Sequence, residues 1–135
     1  MDIKNIEIGQ KFYCQGTNKK QSDNWEEYYV VRKGRSYVYV TKTSYAHISE
    51  IKCAITDAPE KIVETCYQGN TRIYYTERGM QQYEAIALIN QQIRKVGDSS
   101  LYQYTDHDRI KGRVEELQAL LITLQQSVND FSGML

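Results

Sequence analysis

Two runs rich in tyrosine and valine, residues 25–33 and 37–43, flank the dipeptide Gly34-Arg35. Tyrosine and valine are typical of β-strands, and a two-residue connection that begins with glycine is typical of a type II′ hairpin turn. If Lys33 pairs with Ser36, every other cross-strand pair follows by counting outward along the two strands. Because side chains alternate between the two faces of a strand, the pairs also alternate between the faces. The pattern therefore predicts a β-hairpin of defined register.

The predicted register assigns the two faces of this hairpin. One face pairs aliphatic residues and ends in an opposite-charge pair, so we expect it to pack in the core. Its cross-strand pairs are Val31 with Val38, Tyr29 with Val40, and Glu27 with Lys42. We expect the other face to be a surface in contact with solvent. Its pairs are Arg32 with Tyr37, Val30 with Tyr39, and Tyr28 with Thr41.

Shorter runs predict the other strands of the first half. Alternating or β-branched residues indicate strands at 11–15, 51–55 and 71–75, and residues 16–24 are polar and turn-forming, as an exposed loop is. Residues 60–67 follow the single proline of the sequence and fit either a short helix or a further strand. The first half is β-rich under either alternative.

The pattern becomes helical after the last predicted strand. Thr76 is a suitable N-cap for a helix that runs to about Val96. Arg94 and Lys95 fall in the last turn of this helix and Gly97 follows it, as the helix dipole and a glycine C-cap favour. We therefore expect a helix with a defined beginning and end directly after the β-rich half.

A longer apolar repeat predicts a second helix. Thr105 is its expected N-cap, with Asp108 at the third position of a capping box. The apolar residues behind it recur at spacings of 4 and 3, which is the heptad spacing of associating helices. The predicted oligomer interface is Ile110, Val114, Leu117, Leu121, Leu124 and Val128, and Phe131 extends the repeat. We expect residues 106–131 to self-associate through this seam, and the alternative is pairing with residues 78–96 of the same chain.

Together these elements predict an α+β protein. Its N-terminal part is an antiparallel β-sheet or a small, partly open barrel, and two C-terminal α-helices follow. With 135 residues the chain has the size of one domain, in which residues 1–75 are the β-rich part and residues 76–135 the two-helix part. An apolar content of 41% is enough for a core.

The cysteines and the N-terminus favour a cytoplasmic protein. Cys14, Cys53 and Cys66 are an odd number at wide spacings, which is typical of reduced thiols, and the first two fit the core as small apolar residues. Residues 1–4 are not followed by the apolar segment of a signal peptide. No stretch approaches the roughly 20 apolar residues that span a bilayer.

The sequence contains no catalytic or phosphate-binding motif that we can identify. The tripeptide Asp106-His107-Asp108 is the one candidate for acid–base or metal chemistry, because an imidazole between carboxylates can carry a proton. Acidic residues also stabilise a helix N-terminus by about 0.3–1 kcal/mol each, and we favour this capping role. We expect no enzyme, metal or cofactor, and an enzyme centred on His107 is the third of three functional hypotheses.

Tyrosine is the unusual component of the sequence, with twelve residues against two phenylalanines and one tryptophan. A buried tyrosine hydroxyl needs a partner, so many tyrosines indicate aromatic surface that is half wet, either at a binding site or at the rim of a thin sheet. Arginine adds charge-assisted hydrogen bonds to phosphate, and a base stacks on a tyrosine ring. The predicted ligand site combines both residue types in Tyr28, Arg32, Arg35, Tyr37, Tyr39, Arg72, Tyr74 and, from another subunit, Arg109.

The first functional hypothesis is a non-enzymatic, oligomeric protein that captures or sequesters a small anionic, nucleotide-like molecule. A net charge of zero argues against long nucleic acid as its ligand. The second hypothesis is a protein–protein inhibitor or adaptor whose tyrosine-rich sheet face meets a protein partner. A concave pocket at a subunit interface favours the first hypothesis, and a flat exposed face favours the second.

The plan of a tyrosine-rich sheet followed by two helices, with a single proline and no catalytic motif, resembles small accessory proteins of phages and mobile elements, anti-defence proteins among them. The resemblance implies that the protein acts by binding: it inhibits a host protein, mimics a ligand or sequesters a signal molecule. It assigns a role to no individual residue.

Overall fold

Six antiparallel strands close into a barrel in the first half of the chain. The computed structural model describes residues 1–15, 25–42, 50–65, 72–98, 101 and 106–135. The strands are β1 (Lys11–Gln15), β2 (Trp25–Lys33), β3 (Tyr37–Lys42), β4 (Ile51–Ile55), β5 (Lys61–Glu64) and β6 (Ile73–Tyr75). Each strand pairs with the next one, and β6 pairs with β1 between Tyr75 and Tyr13, so the sheet closes on itself.

The predicted fold class is confirmed, because an antiparallel β-part precedes two helices. Strands β1 and β4 have the predicted bounds, and β6 occupies the last three residues of its predicted run. Residues 61–64 form β5, so the strand alternative for residues 60–67 is correct. The polar loop predicted at residues 16–24 lies outside the described residues.

The barrel interior is the hydrophobic core. Inward side chains alternate with outward ones along the strands, which is why the buried apolar residues are spaced by two on β1, β2 and β3. Burying one large apolar side chain contributes about 1.5–3 kcal/mol. The buried core residues are Ile6, Phe12, Cys14, Tyr28, Val30, Val38, Val40, Cys53, Ile62 and Tyr74.

The β2–β3 hairpin has a different register from the predicted one. The amide of Gly34 donates to the carbonyl oxygen of Tyr37 at 2.8 Å, so the turn is centred one residue later than predicted. Lys33 therefore pairs with Val38 instead of Ser36. Since the partner changes by two residues and side chains alternate with a period of two, this shift alone leaves the two faces as predicted.

A β-bulge at Val31 then reverses the faces of β2. Arg32 pairs with Tyr39, whereas Val30 pairs with Val40, so Val31 has no partner of its own. Val38 and Val40 face the core as predicted. The prediction that Val31 and Tyr29 pack there is wrong, since Val31 is 37% exposed and Tyr29 is only partly buried. Tyr28, Val30 and Thr41 were predicted in solvent and are buried instead.

Helix α1 (Glu77–Gly97) begins where Thr76 was predicted to cap it. The Thr76 hydroxyl oxygen accepts from the amide of Gly79 at 3.1 Å, and its carbonyl oxygen accepts from the amide of Met80 at 2.8 Å. The predicted cap is therefore confirmed, and the helix ends within one residue of its predicted end.

Helix α2 (His107–Met134) covers and extends the predicted helical run. Its N-cap is Asp106, whose carboxylate accepts from the amide of Asp108 at 3.1 Å. The assignment of the cap to Thr105, which lies outside the described residues, is therefore wrong by one residue, because a carboxylate was available one position later. No described helix has an apolar stretch long enough to cross a membrane.

The described chain divides into two units, Met1–Met80 and Gln81–Leu135. In the second unit α1 and α2 run side by side in opposite directions: the side-chain amide of Gln82 donates to the carbonyl oxygen of Met134 at 3.3 Å. At the other end of the pair, Lys95 and Arg113 line one cavity of about 560 Å³. The two helices are thus neighbours that leave space between them.

Candidate functional site: a cation–tyrosine face on the barrel

Three neighbouring strands present alternating basic and aromatic side chains on the outside of the barrel. Arg32 on β2 lies opposite Tyr39 on β3, and Tyr39 lies opposite Lys52 on β4. Tyr37, two residues before Tyr39, points to the same side of the sheet. We call the surface formed by Arg32, Tyr37, Tyr39 and Lys52 the cation–tyrosine face.

Each basic group of this face lies over a tyrosine ring. The guanidinium carbon of Arg32 is 3.8 Å from the ring centroid of Tyr39, and the ammonium nitrogen of Lys52 is 4.0 Å from that of Tyr37. Cation–π pairs at exposed sites contribute about 0.5–1 kcal/mol each. The pairs therefore hold two positive charges in defined positions on an open surface.

Glu50 is the acidic partner at the edge of this face. Its Oε2 accepts from Nη2 of Arg32 at 2.8 Å and from Nε at 3.2 Å. The hydrogen bond to Glu50 raises the pKa of Arg32, whose side chain is still 58% exposed. Two cations against one carboxylate leave the face with a positive charge, to which Arg35 in the adjacent turn adds another.

Three of the residues predicted to bind a ligand, Arg32, Tyr37 and Tyr39, meet on this face. Lys52 and Glu50 were missed. The alternation of Ile51, Cys53 and Ile55 places Lys52 on the outside of β4, which is a usable signal. The sequence did not reveal that β4 lies beside β3 with Lys52 opposite Tyr39.

Three other predicted ligand residues, Tyr28, Arg72 and Tyr74, lie on the opposite side of the sheet, inside the barrel. The rings of Tyr28 and Tyr74 meet edge to face with centroids 4.9 Å apart, and both residues are almost fully buried. The structure therefore does not bring them together with Arg32. Arg109 is exposed on the first turn of α2, in the second unit.

The interior side chains near one end of the barrel are polar. Glu26, Lys42, Glu64 and Arg72 lie at the strand ends there, each two residues or one cross-strand position from a buried core residue. The Glu26 carboxylate has two partners: its Oε2 lies 3.1 Å from Nζ of Lys42, and it accepts a hydrogen bond from the hydroxyl of Tyr28 at 3.2 Å. We call these four charged residues, with the buried Tyr28, Tyr74 and Cys14 beside them, the barrel mouth.

Burial keeps the two cysteine thiols of the barrel interior protonated. It raises the pKa of the Cys14 thiol, and it raises that of Cys53 to about 12. Both thiols are free and buried, which confirms their prediction as reduced core residues; Cys66 lies outside the described residues. A thiol that stays protonated at neutral pH is a poor nucleophile.

The tripeptide at the start of α2 acts as a helix cap. Asp106 provides the N-cap carboxylate, and His107 is exposed in the first turn. Within the described ranges, no three His, Cys, Asp or Glu side chains are grouped closely enough to hold a metal ion. The favoured capping interpretation of the tripeptide is therefore confirmed for Asp106.

Comparison with known proteins identifies a family. A family model described as the phage ProQ C-terminal-like domain matches residues 1–127, which is all but the last eight residues, and the chain belongs to that family. No curated protein and no solved structure matches the chain significantly. The resemblance to accessory proteins of phages predicted a small phage-related protein, and this prediction is confirmed.

Proposed function

We propose that this member of the phage ProQ C-terminal-like family is a non-enzymatic binding protein that captures a small anionic, nucleotide-like molecule on its cation–tyrosine face. The row Arg32–Tyr39–Lys52 carries the proposal, since it places two cations on either side of an aromatic ring on three adjacent strands. Phosphate and a planar ring are the two chemical groups that such a row complements.

Arg32 and Lys52 are the phosphate-binding groups of this proposal. The Glu50 carboxylate already accepts two hydrogen bonds from the guanidinium of Arg32, and a phosphate oxygen can accept the same two bonds. A phosphate that replaces or joins Glu50 gains charge-assisted hydrogen bonds from Arg32 and attraction to Lys52. Tyr37, which keeps 37% of its surface exposed, offers ring area for a base.

Calorimetric titration against mono-, di- and cyclic nucleotides tests the proposal, together with a native mass spectrum of protein taken directly from cells. We expect saturable binding of at least one nucleotide class, weakened by added salt, because exposed charges are screened. Absence of binding across the panel, with a native spectrum free of adducts, contradicts the proposal.

A protein partner is the second candidate, and the openness of the face favours it. Both Arg32 and Tyr37 are exposed on an outer sheet surface, and exposed tyrosine and arginine are enriched at protein–protein interfaces. An inhibitor or adaptor of this kind binds no nucleotide, yet loses its partner when Tyr37 or Tyr39 is replaced. Nucleotide binding by the wild-type protein therefore separates the two candidates.

We propose in addition that the protein is a homo-oligomer through its helices. No residue of α2 is buried, and large apolar side chains stay exposed on both helices. Those on α1 are Tyr83, Ile86, Leu88 and Ile93, and those on α2 are Leu121, Ile122 and Val128. A second copy that covers part of this surface gains about 1.5–3 kcal/mol for each large side chain it buries.

A further inference from the structure

The barrel mouth contains a hydroxyl that the described part of the fold leaves unsatisfied. Tyr74 is 0% exposed, its ring packs against Tyr28, and its hydroxyl has no hydrogen-bond partner in the described part of the chain. Buried polar groups are almost always paired, because an unpaired one loses its hydrogen bonds to water without replacement. An orphan hydroxyl at the end of a polar interior therefore requires an explanation.

Beside this hydroxyl lies a cation, Arg72, that pairs with no described carboxylate. Burial lowers the pKa of Arg72, but the hydroxyls of Tyr28 and Tyr74 lie close enough to raise it overall; among the described residues, the Tyr74 hydroxyl still makes no hydrogen bond of normal geometry. Described carboxylates lie more than 4 Å from the Arg72 guanidinium, including that of Glu64 on the opposite strand. Arg72 is half-buried, so its charge is partly shielded from water and still accessible.

Lys42, the other cation of the barrel mouth, has a carboxylate partner. Lys42 forms an ion pair with Glu26, which also accepts from Tyr28, so this half of the mouth is satisfied within the chain. In the described part of the mouth, the hydroxyl without a partner belongs to Tyr74 and the cation without an ion pair is Arg72, both on the β5–β6 side. Two donors of this kind, one charged and one neutral, match the oxygen atoms of a small anion.

We propose that the barrel mouth binds a small oxyanion, a phosphate or a carboxylate, between the Arg72 guanidinium and the Tyr74 hydroxyl. The site is separate from the cation–tyrosine face, because Arg72 and Tyr74 point into the barrel and Arg32 points out of it. Glu64 has the same charge as the ligand and lies opposite Arg72, so it limits the affinity of the site.

Three variants of the full chain test the site, with inorganic phosphate and acetate as separate probes and chloride at equal ionic strength as the control. Binding is measured by chemical-shift titration and by the rise in Tm with probe concentration. We expect Arg72→Gln and Tyr74→Phe to weaken anion binding by about tenfold or more, because each loses one donor. Glu64→Gln should strengthen it, because it removes the opposing charge.

Tyr74→Phe has a second expected effect that a merely structural tyrosine does not produce. In chloride alone its Tm should exceed that of the wild type, since the variant removes a buried hydroxyl that has no partner among the described residues. Wild-type anion affinity in Tyr74→Phe or Arg72→Gln overturns the proposal, and so does a Tm that neither phosphate nor acetate raises above the chloride control. Loss of anion binding in Arg32→Ala with retention in Arg72→Gln assigns the anion to the outer face and also overturns it.

Discussion

Gly79 on the first turn of α1 packs against the backbone of Glu60 without room for a side chain. A Cβ at position 79 would lie 2.5 Å from the carbonyl oxygen of Glu60 and 2.9 Å from its Cβ. Thr76 also binds Glu60, since its amide donates to the Glu60 carbonyl oxygen at 3.0 Å and its hydroxyl donates to the Glu60 carboxylate. The start of α1 is thereby fixed to the segment before β5.

We expect Gly79→Ala to lower the free energy of unfolding by about 1–3 kcal/mol, because overpacking against backbone cannot be relieved by a side-chain rotation. Urea denaturation measures the effect. Gly112→Ala is the matched control in α2, where a Cβ meets no atom within 4 Å, and it should raise stability by up to about 1 kcal/mol. A gain in stability from both alanines contradicts the close packing at Glu60.

The hairpin shows how far local pattern extends. Val38 and Val40 were predicted correctly because alternation along one strand is a local property. The faces of β2 were not, because a bulge at Val31 inserts one residue that the side-chain pattern does not reveal. Tyr28 and Tyr29 of β2 are the same residue type, so composition does not decide which of them enters the core.

The candidate site was predictable in part for a similar reason. Arg32, Tyr37 and Tyr39 lie on strands joined by a short turn, so their proximity follows from the hairpin. Lys52 joins them only through β4, and Tyr74 meets Tyr28 only when the barrel closes. These are long-range pairings, and a single sequence does not specify them.

Substitutions on the cation–tyrosine face should weaken nucleotide binding without unfolding the barrel. We expect Arg32→Ala and Tyr39→Ala each to cost about 1–3 kcal/mol in binding free energy, from the loss of a charged hydrogen bond or of stacking. Calorimetry measures the affinity, and circular dichroism confirms that the fold persists.

The chain offers a matched control for this prediction. Lys11 lies 5.7 Å from the ring centroid of Tyr29 and 3.8 Å from Glu27, so it is also a cation beside a tyrosine and an acid, on β1 and β2. Lys11→Ala and Tyr29→Ala should leave nucleotide affinity unchanged. Equal losses in both sets of variants point to general electrostatics rather than to a site containing Arg32 and Tyr39.

Alkaline pH should destabilise the barrel through its buried acids. Burial raises the pKa of Cys53 from 9.0 to about 12 and that of Tyr28 from 10.0 to about 12. The unfolded chain loses these protons at the ordinary values, so above about pH 9 it binds fewer protons than the folded protein does. Stability is therefore fully present below about pH 9 and should fall by about 1.4 kcal/mol per pH unit for each group in its window.

Urea denaturation from pH 8 to pH 11 measures this loss. Cys53→Ala removes one of the buried acids, so its stability should fall less steeply with pH than that of the wild type, whatever its absolute value. Parallel slopes for the two proteins contradict the assignment of the alkaline loss to Cys53.

The seam of α2 provides the prediction about assembly. Leu117 and Leu124 are half-buried, while Leu121 and Val128 on the same heptad repeat are 47% and 40% exposed. Part of the seam is thus already half-buried within one chain, and a second copy is expected to cover the exposed remainder.

Sedimentation at micromolar to high micromolar concentration should therefore show an oligomer, with the fraction of oligomer rising with concentration. Leu117→Lys and Leu124→Lys should yield a monomer or an unfolded chain, since a charge in either interface is costly to bury. Gln118→Lys places the same charge on an exposed position of α2 and should sediment as the wild type does. A wild-type chain that remains monomeric at high micromolar concentration contradicts the oligomer, and it assigns the seam to the helix pair within one chain.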